Sequence, residues 1–134
     1  MKLYTVCPLA ALLLLSCAAC KKDKTNTNLE GVWTSSYSAR DDNDNDRIDP
    51  EEQDYFEDSK IQWRFSADGT VTIMEDGLAF LNGTYERYGD QLTIQYITFK
   101  EEYTITELNT HKLALQTYVE DWGRKLLVEK GLKR

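Results

Sequence analysis

Ile61-Gln62-Trp63-Arg64-Phe65-Ser66-Ala67-Asp68-Gly69-Thr70-Val71-Thr72-Ile73 is the stretch that decides the fold. Residues 61–65 alternate apolar and polar, which is the period of a half-buried β-strand. Asp68-Gly69 is a hairpin signal, and alternation resumes at Val71-Thr72-Ile73. The same unit repeats downstream. Glu75-Asp76-Gly77 turns the chain, and residues 78–85 read as a strand in which Gly83 predicts a bend or bulge. Tyr88-Gly89-Asp90 turns it again before a clean alternation over residues 92–96. Strands follow at 103–106, 113–115 and 126–128, separated by Asn109-Thr110-His111 and by Asp121-Trp122-Gly123. Upstream, residues 33–40 lack a helical apolar period and also read as a strand. About eight short strands at roughly ten-residue spacing predict an all-β sandwich or barrel. Short connections favour antiparallel neighbours in a meander. The one long connection, residues 40–60, should cross an open end of a small up-and-down barrel.

From Leu29 onward the chain has about 106 residues, enough for one domain. Bulky residues fall on the inward phase: Trp33, Trp63, Phe65, Tyr85, Tyr96 and Tyr103. In so short a chain they are expected to pack the interior rather than line a ligand pocket. An eight-stranded barrel can still hold one small apolar ligand.

The long connection carries the most specific chemistry. It reads Asp41-Asp42-Asn43-Asp44-Asn45-Asp46-Arg47-Ile48-Asp49-Pro50-Glu51-Glu52. Counted from Asp41, oxygen donors stand at positions 1, 3, 5, 9 and 12: Asp41, Asn43, Asn45, Asp49 and Glu52. Arg47, at position 7, contributes only its backbone carbonyl. The spacing resembles a twelve-residue EF-hand calcium loop. Calcium takes six to eight hard oxygens, and alternate side chains of a sharply turning loop can supply them. Two features depart from that family. Position six is Asp46 where the family has Gly, and Asp accepts the left-handed conformation at some cost. A strand, rather than a helix, precedes the loop. After it, Asp49 as cap, Pro50 at the first helical position and the acids that follow predict about two helical turns over residues 51–58. Three charged ligand side chains predict weak binding, with Kd about 10⁻⁴–10⁻³ M. The bland reading is a solvated acidic run, since residues 41–58 hold ten acids and one base. That reading leaves unexplained the Asn at positions 3 and 5, the Ile at 8 and the Glu at 12.

The N-terminus predicts the compartment. Lys2 precedes an apolar run over residues 6–16, too short to span a membrane and laid out as a secretory signal. The run ends in Leu14-Leu15-Ser16-Cys17-Ala18-Ala19-Cys20, which resembles a bacterial lipobox. Both Cys17 and Cys20 are candidates for lipidation, with Cys17 in the better register. The expected organisation is a signal peptide at 1–16, an acylated Cys and flexible polar tether at 17–28, and one domain at 29–134 carrying the loop insertion at 41–58. No Asp follows either Cys, which in the lipoprotein family is compatible with transport to the outer membrane. All three Cys lie in the first 20 residues, so no disulfide staples the domain.

A wider resemblance rests on four segments in order: Leu29-Glu30-Gly31-Val32-Trp33, Trp63 through Thr70, Asn82-Gly83-Thr84-Tyr85 and Gly89-Asp90-Gln91-Leu92-Thr93-Ile94. Together they resemble the lipocalin-like lipoproteins of Bacteroidetes. That resemblance implies a small antiparallel barrel, often without known activity.

Little points to catalysis. His111 is the one histidine and falls at a turn, no thiol remains in the domain, and no phosphate loop or zinc spacing occurs. Residues 59–134 carry 11 acids and 10 bases with no basic patch, which argues against nucleic acid. The expectation is a non-enzymatic, lipid-anchored envelope protein, a calcium-ordered binding or scaffold module. The alternative is a carrier of a small apolar ligand.

Overall fold

The computed structural model describes residues 28–134. The expected signal peptide, both lipidation candidates Cys17 and Cys20, and nearly all of the tether lie outside the described residues.

Nine antiparallel strands follow one another: β1 (Gly31–Arg40), β2 (Gln53–Tyr55), β3 (Ile61–Phe65), β4 (Thr70–Glu75), β5 (Leu78–Tyr88), β6 (Gln91–Tyr96), β7 (Lys100–Leu108), β8 (Lys112–Asp121) and β9 (Arg124–Lys133). From β3 onward each strand pairs with the next, and β9 returns to pair with β1. The result is a closed eight-stranded barrel with one extra strand, β2. Closure removes the free edges that an open sheet would expose. Both β2 and β3 pair with β1, at Tyr37–Ala39 and Gly31–Thr34 respectively. Thus β2 prolongs the place of β3 alongside β1. The long connection therefore does not simply cross an open end, because its second half is stitched into the wall.

The helix expected over 51–58 is reduced to a single 3₁₀ turn, Pro50–Glu52. Hydrogen bonding to β1 claims Gln53–Tyr55 for the sheet. Acids at the end of a two-turn helix would oppose its dipole, and pairing with the wall gives the backbone another partner. Gly83 does not mark the bulge, which falls between Ile73 and Met74. Gly83 instead lets β6 come close, since a Cβ there would lie 2.5 Å from the Gln95 carbonyl oxygen.

The inward phase is as the alternation predicts. Trp33, Trp63, Phe65, Tyr96 and Tyr103 are buried in one cluster with Val71, Ile73, Leu92, Ile94, Leu113 and Leu115, and Tyr85 packs against it. The aromatic rings meet edge to face, Phe65 on Tyr85 at 5.1 Å and Trp63 on Tyr103 at 6.4 Å. One end of the barrel is shut. Trp33 donates its indole N–H to the Leu29 carbonyl at 2.8 Å, drawing Leu29 in as a plug. Arg134 stacks on the Trp33 ring at 4.1 Å and donates to the carbonyls of Thr110 and Glu30.

On the outer wall, the β1–β9 seam depends on a close approach. The Tyr37 ring lies on Gly131, where a Cβ would meet ring carbon Cε1 at 1.9 Å. Tyr37 donates to Glu129 at 2.6 Å and packs on Tyr55 of β2. Gln116 also donates to Glu129, at 2.6 Å. These bonds satisfy a carboxylate that is buried and, among the described residues, forms no ion pair.

Candidate functional site

The acidic loop leaves β1 at the end of the barrel opposite Leu29 and Arg134. Asp41 is 4 % exposed, and its backbone N–H continues the seam to the Leu127 carbonyl. Its carboxylate caps the turn, accepting from the N–H groups of Asn45 (3.2 Å) and Asp46 (2.8 Å). Asp46 adopts φ 61°, the left-handed backbone expected at position six, and Asp44 does the same at 60°. Glu52, brought back by the 3₁₀ turn, accepts from the N–H groups of Asp42 (3.0 Å) and Asp49 (2.9 Å). Two opposite ends of the loop are thereby tied by one carboxylate.

The remaining candidates meet at Asp49. The side-chain amides of Asn43 (3.1 Å) and Asn45 (2.7 Å) both donate to its Oδ2, and the Arg47 guanidinium approaches Oδ1 at 3.3 Å. These amide bonds, and then the Arg47 charge, hold the Asp49 carboxyl below its usual range. All six residues of the expected site are thus drawn into one hydrogen-bonded loop, but their carboxylates are directed at N–H groups. Among the described residues, no three His, Cys, Asp or Glu side chains form a group that could hold a metal.

Two contacts that sequence spacing could not disclose fasten the loop to the wall. Tyr118 of β8 donates to Asp46 at 2.7 Å, and Arg124 of β9 pairs with Asp44. The partners are 72 and 80 residues apart in the chain.

The wall under this loop opens. The β7–β8 ladder runs from Leu108 opposite Leu113 to Thr104 opposite Gln116 and stops there. Yet β7 begins at Lys100 and β8 continues to Asp121. Each strand stays paired on its far side, to β6 and to β9. The Thr117 hydroxyl donates across the parting to the Glu102 carbonyl at 2.7 Å. Here lies a cleft of about 600 Å³, with Asp46 at its roof and Tyr103 and Glu101 among its lining.

Behind the parting, the interior turns polar. Lys130 of β9 donates to the Tyr103 hydroxyl at 2.9 Å, and Tyr103 donates to Glu101 at 2.6 Å. The Lys130 ammonium sits 5.2 Å from the Trp63 ring centre and 5.3 Å from that of Tyr103. Burial, then the Glu101 contact, pushes the Tyr103 hydroxyl well above the usual tyrosine range. The signal for this group was present in the phase of β9: Leu126, Val128, Lys130 and Leu132 share one face, so Lys130 is a charge on an inward position.

The hairpins at this end carry large exposed apolar side chains. Leu78 is 75 % exposed, Ile97 96 % and Trp122 98 %.

Comparison with curated proteins gives no match. Among solved structures, a deswapped triple mutant of bovine odorant-binding protein is similar, with a TM-score of 0.43 and 14 % identity over 78 % of this chain and 72 % of that one. A lipocalin-like domain family matches residues 29–115, the greater part of the chain. With the closed antiparallel barrel and the match across its strands from β1 into β8, the chain belongs to the lipocalin-like domain family.

Proposed function

We propose that this protein is a non-enzymatic binding module of the cell envelope, tethered by a lipidated Cys17 or Cys20, whose working surface is the loop-bearing end of the barrel. Calcium orders the 41–52 loop. The observation that carries the reading is the attachment of that loop to the wall: Tyr118 holds Asp46 and Arg124 holds Asp44, so a change in loop order is felt at the cleft beneath it. The ion would draw on Asp41, Asn43, Asn45, the Arg47 carbonyl, Asp49 and Glu52. Two amide N–H groups now supply partial positive charge to Asp49, and a cation would take over that role once Asn43 and Asn45 turn their oxygens inward. Leu29, which directly follows the expected tether, lies at the closed end, which supports an anchor on that side with the loop facing away from the membrane.

Calcium titration followed by amide NMR tests the metal. Loop resonances should shift at millimolar calcium, and free ion at tenfold over Kd should stabilise the fold by about 1.4 kcal/mol. Unchanged loop resonances would remove calcium from the account. In the Asn45→Ala, Glu52→Gln double variant the rise in Tm with calcium should vanish. Mass spectrometry of the membrane fraction, repeated with Cys17→Ala and Cys20→Ala, tests the anchor. An unacylated mature chain would exclude it.

A carrier role for a small ligand is the second reading, supported by family membership and by the cleft at the β7–β8 parting. Native mass spectrometry of protein purified from cells checks it, and a co-purifying small molecule is the expected result.

A further inference from the structure

We propose that the parting between β7 and β8 is a lateral binding slot for an amine-bearing amphipathic small molecule. The proposal rests on the carrier reading and names its ligand class and its point of access through the wall.

Three observations lead to the slot. The ladder ends at Thr104 and Gln116 although both strands continue, so the wall has a gap that strand pairing elsewhere in the barrel does not show. A cleft of about 600 Å³ occupies that gap, the size of a small-molecule site. Behind it the aromatic core packs the closed half of the barrel, so a ligand held here would sit in the wall and mouth rather than deep in the interior.

Charge selects the ligand. Asp46, Glu101 and Glu102 line the slot, against Lys100 as the single cationic side chain in the lining. Lys100 is already paired with Glu102 at 2.9 Å. Asp42 and Asp44 of the overhanging loop are taken up by Arg40 and Arg124, and Lys130 stands 4.0 Å from Glu101, so the excess negative charge of the lining rests chiefly on Asp46. An anionic head group would meet repulsion, and an ammonium attraction. The rings are suited to the same guest. Tyr118 and Tyr103 stand at the slot, and the inner side of this wall already seats one ammonium, that of Lys130, against Trp63 and Tyr103. Val119 and Leu127 offer the apolar surface that a short alkyl or aryl tail requires. The Tyr118–Asp46 bond closes the outer lip, so a guest would either slip beneath it or break it.

The test uses the full folded domain with three probes of equal length: octylamine, 1-octanol and octanoate, at pH 7 in calcium-free buffer. Octylamine should bind at least about tenfold more tightly than the other two, with amide shifts centred on Thr104, Gln116, Thr117 and Tyr118. Glu102→Gln combined with Asp46→Asn should weaken octylamine about tenfold and leave 1-octanol unchanged. Thr104→Trp should fill the slot and abolish binding, with the charge variants standing in if that protein does not fold. Equal binding of octylamine and octanol, or shifts confined to the 41–52 loop, would overturn the amine slot while leaving a carrier of neutral ligands intact. Absence of binding by all three probes would overturn both.

Discussion

The two ends of this barrel are built on opposite rules. At the closed end the connections are short and polar, Ser66–Gly69, Gly89–Asp90 and Asn109–His111, and the aperture is filled by Leu29 beneath Trp33 with Arg134 laid over the indole. At the loop-bearing end the connections carry Leu78, Ile97 and Trp122 into solvent, the long acidic segment hangs over the wall, and β7 parts from β8. Burial and satisfied hydrogen bonds at the first end support stability. Exposed apolar tips, left-handed Asp residues and an interrupted ladder at the second weaken local order, as surfaces that bind partners commonly do. A small barrel can thus keep recognition chemistry apart from the packing that holds it folded.

The contrast is broken most severely through the closed end. Trp33→Ala removes the largest fully buried side chain and the platform for Arg134, and should cost about 4 kcal/mol in urea unfolding. A loss below 1 kcal/mol would mean that the plug does not anchor the barrel. Next in size is the seam common to both ends. Gly131→Ala should cost about 3 kcal/mol, because the Tyr37 ring must leave and Glu129 then loses a donor while buried. Measured with Tyr37→Phe in a double-mutant cycle, the two losses should be strongly non-additive.

The buried tyrosines make the fold sensitive to alkali. Burial first, and contact with Glu101 or Glu129 after it, raise the hydroxyls of Tyr103, Tyr96 and Tyr37 above their unfolded value. The folded state therefore keeps protons that the unfolded chain releases above about pH 10, so stability is full below that pH and falls as pH rises past it. The slope should approach about 1.4 kcal/mol per pH unit for each tyrosine so held. Tyrosinate absorbance should show the phenols of Tyr103 and Tyr96 ionising only together with unfolding. Smallest of all is Trp122→Ser, expected within about 0.5 kcal/mol of the parent because the side chain has almost nothing to lose. A larger loss would show that this tip supports the fold.

Alternation and turn chemistry made the strands, their order and the inward aromatics legible, because in a meander each strand meets its neighbour and the side-chain period selects the face. The 53–55 segment was illegible for the opposite reason. Its local signals are those of a helix start, and its state is decided by hydrogen bonds to β1. Within the loop, the Asp46 backbone could be anticipated from position six. The Tyr118 and Arg124 clamps could not, since spacing along one segment says nothing of partners 72 and 80 residues away. The β7–β8 parting was also out of reach, since residues on both sides of it keep strand alternation through their other neighbours.

The pairing of β1 with β9 carries a consequence for how the molecule comes to exist. Thr34 meets Lys133 across nearly the whole domain, so the ring cannot close until β9 has been made. This raises the contact order and predicts slow folding, with the seam forming last. Until then β1 and β9 present unpaired strand edges, which expose the folding chain to pairing with its own copies.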